Sequence, residues 1–165
     1  MTIRISAIVV VDSERRLVRG QDGFPGQSPK ERRRVKKLVS GHAVLVGKAT
    51  YEKMALGNFS LPKGTLLVVL TSDRKFKAPG CAVVRSIGEA GLFLRSRKGI
   101  KEIFVIGGNS VYRQLWKHFD RLYLTVTSDK AIFDQPLFPE YDGDFPKVTK
   151  KKKEKNGTFF VLERK

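Results

Sequence analysis

The stretch SPKERRRVKKL, residues 28–38, sets one carboxylate, Glu31, among six basic side chains. A carboxylate there has two kinds of work open to it. Ser28-x-x-Glu31 is a capping box, worth about 1 kcal/mol to the helix it opens. A carboxylate also presents two acceptor oxygens to a pair of parallel donors on a heterocycle, which fixes that ring's orientation. Arg32, and whichever of Arg33 and Arg34 turns inward, should favour its ionised form. The second chemical signal is a repeated junction. In HAVLVGKATYE a strand ends at Gly47 and a helix begins near Ala49; in EIFVIGGNSVY a strand ends at Gly107-Gly108 and a helix begins near Asn109. Helix N-termini carry free N–H groups and partial positive charge, and glycine lets an anion approach the backbone. Lys48 and Thr50 add a cation and a hydroxyl at the first junction, Asn109 and Ser110 polar side chains at the second. VVLTSDR brings Thr71, Ser72 and Arg74 to a third strand end. Neither junction matches GxGxxG or a P-loop, and each glycine could serve only to turn the chain. Together they suggest a face able to hold a dinucleotide beyond the carboxyl ends of a sheet.

The elements that must position these groups follow from apolar periodicity. IRISAIVVVD reads as a strand buried on both faces, followed by a long Gly- and Pro-rich loop over 13–27. A helix runs from Ser28 to about Val39, with Pro29 in its first turn. HAVLVG, GTLLVVLT, CAVVRS, EIFVIGG and RLYLTVT read as strands. KATYEKMALG, a segment from Ser86 to about Arg95 and NSVYRQLWKHF read as helices. Asn156-Gly157 signals a hairpin turn between KVTKKKKEK, a solvent-facing edge strand, and a closing strand. Strands alternating with single helices give one α/β domain, residues 1–165, with a mostly parallel, twisted central sheet, about four flanking helices and a C-terminal antiparallel hairpin.

Composition narrows the function classes. The chain has 165 residues, 41% of them apolar, enough for one core. No apolar run reaches the roughly 18 residues of a membrane helix. The first apolar stretch reads as a strand rather than a signal peptide. One cysteine, Cys81, points to a reducing cytoplasm, and with only His42 and His118 beside it no His/Cys metal site is expected. The formal charge of +17 suits nucleic acid, polyanionic small molecules such as dinucleotide phosphates, or simply solvated faces.

The quoted segments SPKERRRVKKLVSGHAVLVGKATYEKM, LPKGTLLVVLTSD, IFVIGGNSVYRQL, RLYLTV and LFPEY stand in the order and spacing of dihydrofolate reductase. With ISAIVVVD and NGTFFVLERK the resemblance covers essentially the whole chain; VIGGNSVY and SGHAVLVGKATYE are its most specific pieces. The related riboflavin-biosynthesis reductases usually carry Glu-Gly-Gly where this chain has Ile106-Gly107-Gly108. The resemblance implies NADPH-dependent reduction of 7,8-dihydrofolate to tetrahydrofolate by a monomeric, cytoplasmic enzyme of one-carbon metabolism, its adenosine-binding part spanning roughly 43–105. It implies Glu31 as the catalytic acid that orients the pterin and promotes its protonation through water. Ser6, Arg32, Val35 and Thr125 join Glu31 in binding substrate. The cofactor falls to Ile8, Val18, Gly47, Lys48, Ala49, Thr50, Thr71, Ser72, Ile106, Gly107, Gly108, Asn109, Ser110, Val111 and Tyr112. Lys48, Ser72 and Arg74 would recognise a 2′-phosphate. Departures cluster on the folate side. Gly26 stands where the family has tryptophan, Val35 where it has an aromatic, Arg32 where it has an apolar residue, and no arginine lies near Gly64-Thr65 for the folate tail. A related NADPH reductase of another pterin-like or ribitylaminopyrimidine substrate, or a non-catalytic basic domain binding nucleic acid, are the competing readings. RNA-binding aromatic motifs are not evident.

Overall fold

The computed structural model describes residues 3–57, 60–131 and 135–165. Eight strands alternate with helices as the periodicity predicts: β1 (Arg4–Val11), α1 (Pro29–Val39), β2 (Ala43–Gly47), α2 (Lys48–Leu56), β3 (Leu66–Leu70), β4 (Ala82–Val84), α3 (Ile87–Arg95), β5 (Glu102–Gly107), α4 (Asn109–Gln114), β6 (Arg121–Thr127), β7 (Lys147–Glu154) and β8 (Gly157–Glu163). They form one sheet of order β4-β3-β2-β5-β1-β6-β8-β7. The first six strands in that order pair in parallel, and β6-β8-β7 pair antiparallel. The chain leaves the centre at β1, builds outward to β4, returns as β5 beside β1, and closes the other side with β6. The carboxyl ends of β3, β2, β5, β1 and β6 are thus successive neighbours along one edge, where open α/β sheets bind ligands.

Both faces of the sheet are covered, which explains the nearly continuous apolar strands. Along β1, Ala7, Val9 and Val11 join one core with Ala90 and Leu94 of α3 and Tyr112 of α4. Ile8 faces the other, with Val35 and Val39 of α1, Met54 of α2, Phe104 and Phe24. The lysine-rich β7 is the exposed edge strand expected of it.

Two local expectations need correction. The helix foreseen over 109–119 ends at Gln114 and resumes as a single 3-10 turn at Trp116–His118. Tertiary packing overrides the helical pattern here. The Trp116 ring stands edge-on to Phe119, Phe138 and Phe145, and its Nε1 donates to Asp144 at 2.8 Å. The hairpin turn is Lys155-Asn156, one residue earlier than read, and Gly157 is the first residue of β8. Gly157 takes φ +154°, and any Cβ there would collide with the Val126 carbonyl oxygen of β6. The glycine is required by strand contact rather than by the turn itself.

Candidate active site

Glu31 sits in the first turn of α1 and is 8% exposed. Its Oε1 accepts from the backbone N–H groups of Gln27 (3.2 Å) and Ser28 (3.1 Å), while Ser28 Oγ accepts from Glu31 N at 3.2 Å. The capping box is therefore formed in full, on one carboxylate oxygen. Among the described residues no donor reaches Oε2 and no cation forms an ion pair with Glu31. Oε2 is the oxygen left to recognise a ligand. Gly26 lies directly on this side chain: its φ is +87°, and a Cβ there would stand 2.8 Å from Glu31 Cβ. No larger residue fits this loop path without moving the acid. Thr125, at the carboxyl end of β6, shares with Glu31 a cavity of about 390 Å³ that also takes in Arg33 and Glu154.

The remaining proposed substrate residues are placed less simply. Arg32 turns away from Glu31 and into the loop, where it pairs with both oxygens of Asp22, donates to Gly26 O at 3.4 Å and stacks 5.0 Å over the Phe24 ring. Of the cations foreseen around the acid, Arg32 and Arg34 are thus paired with other acids, Asp22 and Glu154, while Arg33 lines the Glu31 cavity. Val35 is 2% exposed and packs in the core with Phe24. Ser6 faces the same side of the sheet as Ile8, but its Oγ is committed to Glu102 Oε2 at 2.5 Å.

At the neighbouring strand ends the two glycine junctions come together. β2 and β5 pair, with Val46 opposite Gly107. A Cβ on Gly47 would lie 2.7 Å from Val111, and one on Gly108 would lie 3.3 Å from Thr50 Oγ1. The close approach of the two segments thus depends on glycine at both. Lys48 and Ala49 open α2, whose N-cap Gly47 supplies no side chain, leaving its first N–H groups to an anion. Asn109 Oδ1 is buried without a hydrogen-bond partner, an acceptor awaiting a donor in the cleft. Ser110 is exposed beside it. At the end of β3, Thr71 Oγ1 accepts from Asp73 N at 3.1 Å, and Ser72 is exposed. These residues fit a dinucleotide with an amide-bearing ring.

Tyr112 is fully buried; its hydroxyl donates to Ile8 O at 2.7 Å, so it both packs and closes the floor. Ile106, also fully buried, is the penultimate residue of β5. Val18, buried within the loop, gives its N–H to Val10 O (2.8 Å) and its carbonyl accepts from Gly26 N (2.9 Å), so its N–H is not left over for a ligand.

Several site residues were not legible in the sequence. Arg19 reaches from the 13–27 loop onto the second junction. Its Nη1 donates to Gly23 O (2.5 Å) and Ile106 O (3.1 Å), its Nη2 to Tyr112 Oη (3.2 Å), and its guanidinium fills the space where a Gly107 side chain would be. Asp73 holds Lys48 Nζ at 2.9 Å, and Arg85 donates to the carbonyls of Thr71 and Arg74 at 3.2 and 3.4 Å. Arg34 and Glu154 pair behind Thr125. Only the long loop and the basic run hinted at these; the pairings are non-local.

The electrostatics follow from these pairs. Burial alone would raise the Asp22 carboxyl, yet its bonds from Arg32 and Phe24 N hold it below the usual range. Glu154 behaves alike: burial raises it, and Arg34 with Lys30 outweighs burial. The bond from Lys48 lowers Asp73, and Asp73 raises Lys48 in turn. Burial pushes the Tyr112 hydroxyl up.

Known proteins resemble this chain along its length. The family model described as dihydrofolate reductase matches residues 4–163. Dihydrofolate reductase of Bacillus subtilis (strain 168) is 33% identical over 138 residues, covering 84% of this chain and 77% of that protein. Dihydrofolate reductase of Staphylococcus aureus (strain Mu50 / ATCC 700699) is 30% identical over 135 residues, covering 82% and 78%. Among solved structures, dihydrofolate reductase from Enterococcus faecalis, complexed with NADP(H) and RAB-propyl, superposes with a TM-score of 0.77 at 23% identity. That match covers 98% of this chain and 96% of that one and bears on the fold. A match running from the first strand to the last, with relatives alike over most of their length, settles the family: this chain belongs to the dihydrofolate reductases.

Proposed function

We propose that the protein catalyses the NADPH-dependent reduction of 7,8-dihydrofolate to 5,6,7,8-tetrahydrofolate, in the cytoplasm, in support of one-carbon metabolism. Family membership over residues 4–163 carries this reading. The bound dihydronicotinamide supplies the hydride. In this reading the chain's own residues do the rest. The paired junctions at Gly47 and Gly107-Gly108 hold the cofactor by backbone N–H groups, with Lys48, Thr50 and Ser72 on its phosphates. Asn109 Oδ1 gains the donor it lacks. Glu31 Oε2 accepts from the pterin ring and orients it, while Oε1 stays with the helix cap. The Thr125 hydroxyl braces the acid from the sheet side. The enclosed carboxylate then promotes protonation of the ring nitrogen beside the carbon that takes the hydride.

The test follows NADPH absorbance with dihydrofolate, for wild type and Glu31→Gln. Glutamine keeps the shape but offers one acceptor and one donor where two acceptors are needed. The expected loss in kcat at neutral pH is about 10²-fold or more, the range of a positioned acid–base group, and smaller at low pH, where substrate protonates from solvent. Turnover unchanged at neutral pH removes Glu31 from the mechanism.

A second substrate class is favoured by one specific observation. The groups expected on the folate tail side are otherwise engaged: Arg32 is bound to Asp22 and Val35 is buried in the core. A pterin-like or ribitylaminopyrimidine compound without the glutamyl tail would lose little here. Comparable kcat/KM for dihydropterin and dihydrofolate would support it; a preference for dihydrofolate above about tenfold, the equivalent of one charge-assisted bond, would exclude it.

A further inference from the structure

A chain of contacts runs from the hairpin edge to the cavity of Glu31, and no residue of it beyond Thr125 has a role so far. Arg34 lies one turn after Glu31 on α1. Its Nη2 is ion-paired to Glu154 Oε2 at the end of β7. Its Nη1 donates to Thr125 Oγ1 at 3.4 Å. Its guanidinium lies 4.2 Å over the Phe159 ring of β8. Lys30 supports the same Glu154 oxygen at 3.3 Å. The pair is well enclosed, with side chains 17% and 8% exposed.

This arrangement decides what Thr125 can do. A threonine hydroxyl has one proton to give and lone pairs to receive. With an Arg34 N–H directed at Oγ1, the hydroxyl proton must point elsewhere. The open side is the cavity that Thr125 shares with Glu31, where Glu31 Oε2 has no donor among the described residues. A guanidinium is suited to this: its planar fork can hold Glu154 and Thr125 together, as a lysine cannot. Phe159 supplies a flat surface that keeps the fork in plane.

We infer that Arg34, anchored by Glu154, is a positioning residue for the reaction: it fixes the Thr125 hydroxyl as a donor toward the Glu31 carboxylate and its ligand. This rests on the reductase reading above. The fork thereby couples the turn end of the β7–β8 hairpin to the acid.

The test is a double-mutant cycle on kcat and on KM for dihydrofolate and NADPH, using wild type, Arg34→Met, Thr125→Val and both together. A group that acts through Thr125 loses its effect once the hydroxyl is gone. The expected result is a kcat about tenfold lower in Arg34→Met, KM for NADPH unchanged, and no further loss when Arg34→Met is added to Thr125→Val. Arg34→Lys keeps the charge and recovers only part of kcat. Glu154→Gln, which leaves α1 intact, reproduces the Arg34→Met loss in weaker form and guards against a variant that fails to fold. Losses that add in the double variant, or full recovery with lysine, overturn the inference while leaving the reductase reading intact. A wild-type protein that oxidises no NADPH with dihydrofolate overturns both.

Discussion

At the scale of single residues, the proposed cofactor cleft is shaped by an arginine that no local pattern announces. Arg19 spends its guanidinium on the Gly23 and Ile106 carbonyls and the Tyr112 hydroxyl, against Gly107. Hydrogen bonds from a charged donor contribute roughly 1.5–3 kcal/mol, so a ligand entering beside Gly107 must displace or outbid them. Arg19→Ala is therefore expected to tighten NADPH binding by about tenfold, read by titrating the intrinsic fluorescence of Trp116. Weaker binding in the variant would mean that Arg19 contacts the cofactor instead. The opposite end of the cleft carries a related conflict. Asp73 occupies Lys48, a proposed phosphate ligand, and puts a negative charge where a 2′-phosphate is expected. Asp73→Asn should lower KM for NADPH more than KM for NADH, since only the former brings the extra anion. Equal changes for both would take Lys48 and Asp73 out of cofactor selection.

At the scale of elements, α1 places its cap and the proposed pterin contact on one carboxylate. Ser28→Ala removes one half of the capping box and should cost about 1 kcal/mol in thermal or urea unfolding, the usual worth of an N-cap. It should also leave Glu31 freer to move, so KM for dihydrofolate changes as well as Tm; a change in Tm alone would show cap and site to be independent. This cap was legible because Ser28, Pro29 and Glu31 are adjacent in sequence. So were the strand order of burial, the exposed lysine edge and the two glycine junctions, all set by local period and turn chemistry. What could not be read was contact between distant segments. Helix α4 stops at Gln114 because Trp116 packs among Phe119, Phe138 and Phe145. Gly157 is demanded by the β6 carbonyl beside it, while the pattern assigned it to the turn. Arg32 seemed a neighbour of Glu31 by spacing, yet its partner is Asp22, ten residues upstream in the loop. Period tells which face a residue takes, and says nothing of which long side chain wins a given acid.

At the scale of the whole molecule, the +17 charge decides how the fold meets acid. Two of the basic runs converge: Arg33 and Lys37 of α1 face Lys150 and Lys152 of β7 across a groove of about 770 Å³. Such like charges repel, and the repulsion is long-ranged and screened by salt over about 10 Å at 0.1 M. Against it stand enclosed pairs, Arg34–Glu154 and Arg32–Asp22, which salt screens much less. Glu154 and Asp22 have carboxyl groups held below their ordinary range in the folded state. A depressed folded pKa gives stability that is full above the unfolded value and is lost as pH falls through the folded one. Acid thus acts twice, removing these pairs and leaving the lysine and arginine excess less opposed. The expected outcome is a cooperative loss of structure below about pH 4, the unfolded carboxylate range, with a midpoint that moves to lower pH as salt rises. Circular dichroism against pH at 20 mM and about 0.5 M sodium chloride measures it. If surface repulsion governs acid sensitivity, added salt protects. If the enclosed ion pairs were instead open to solvent, salt would weaken them and the midpoint would stay or rise. Glu154→Gln separates the two contributions: it should flatten the acid limb at either ionic strength while leaving the salt dependence from the α1–β7 groove in place.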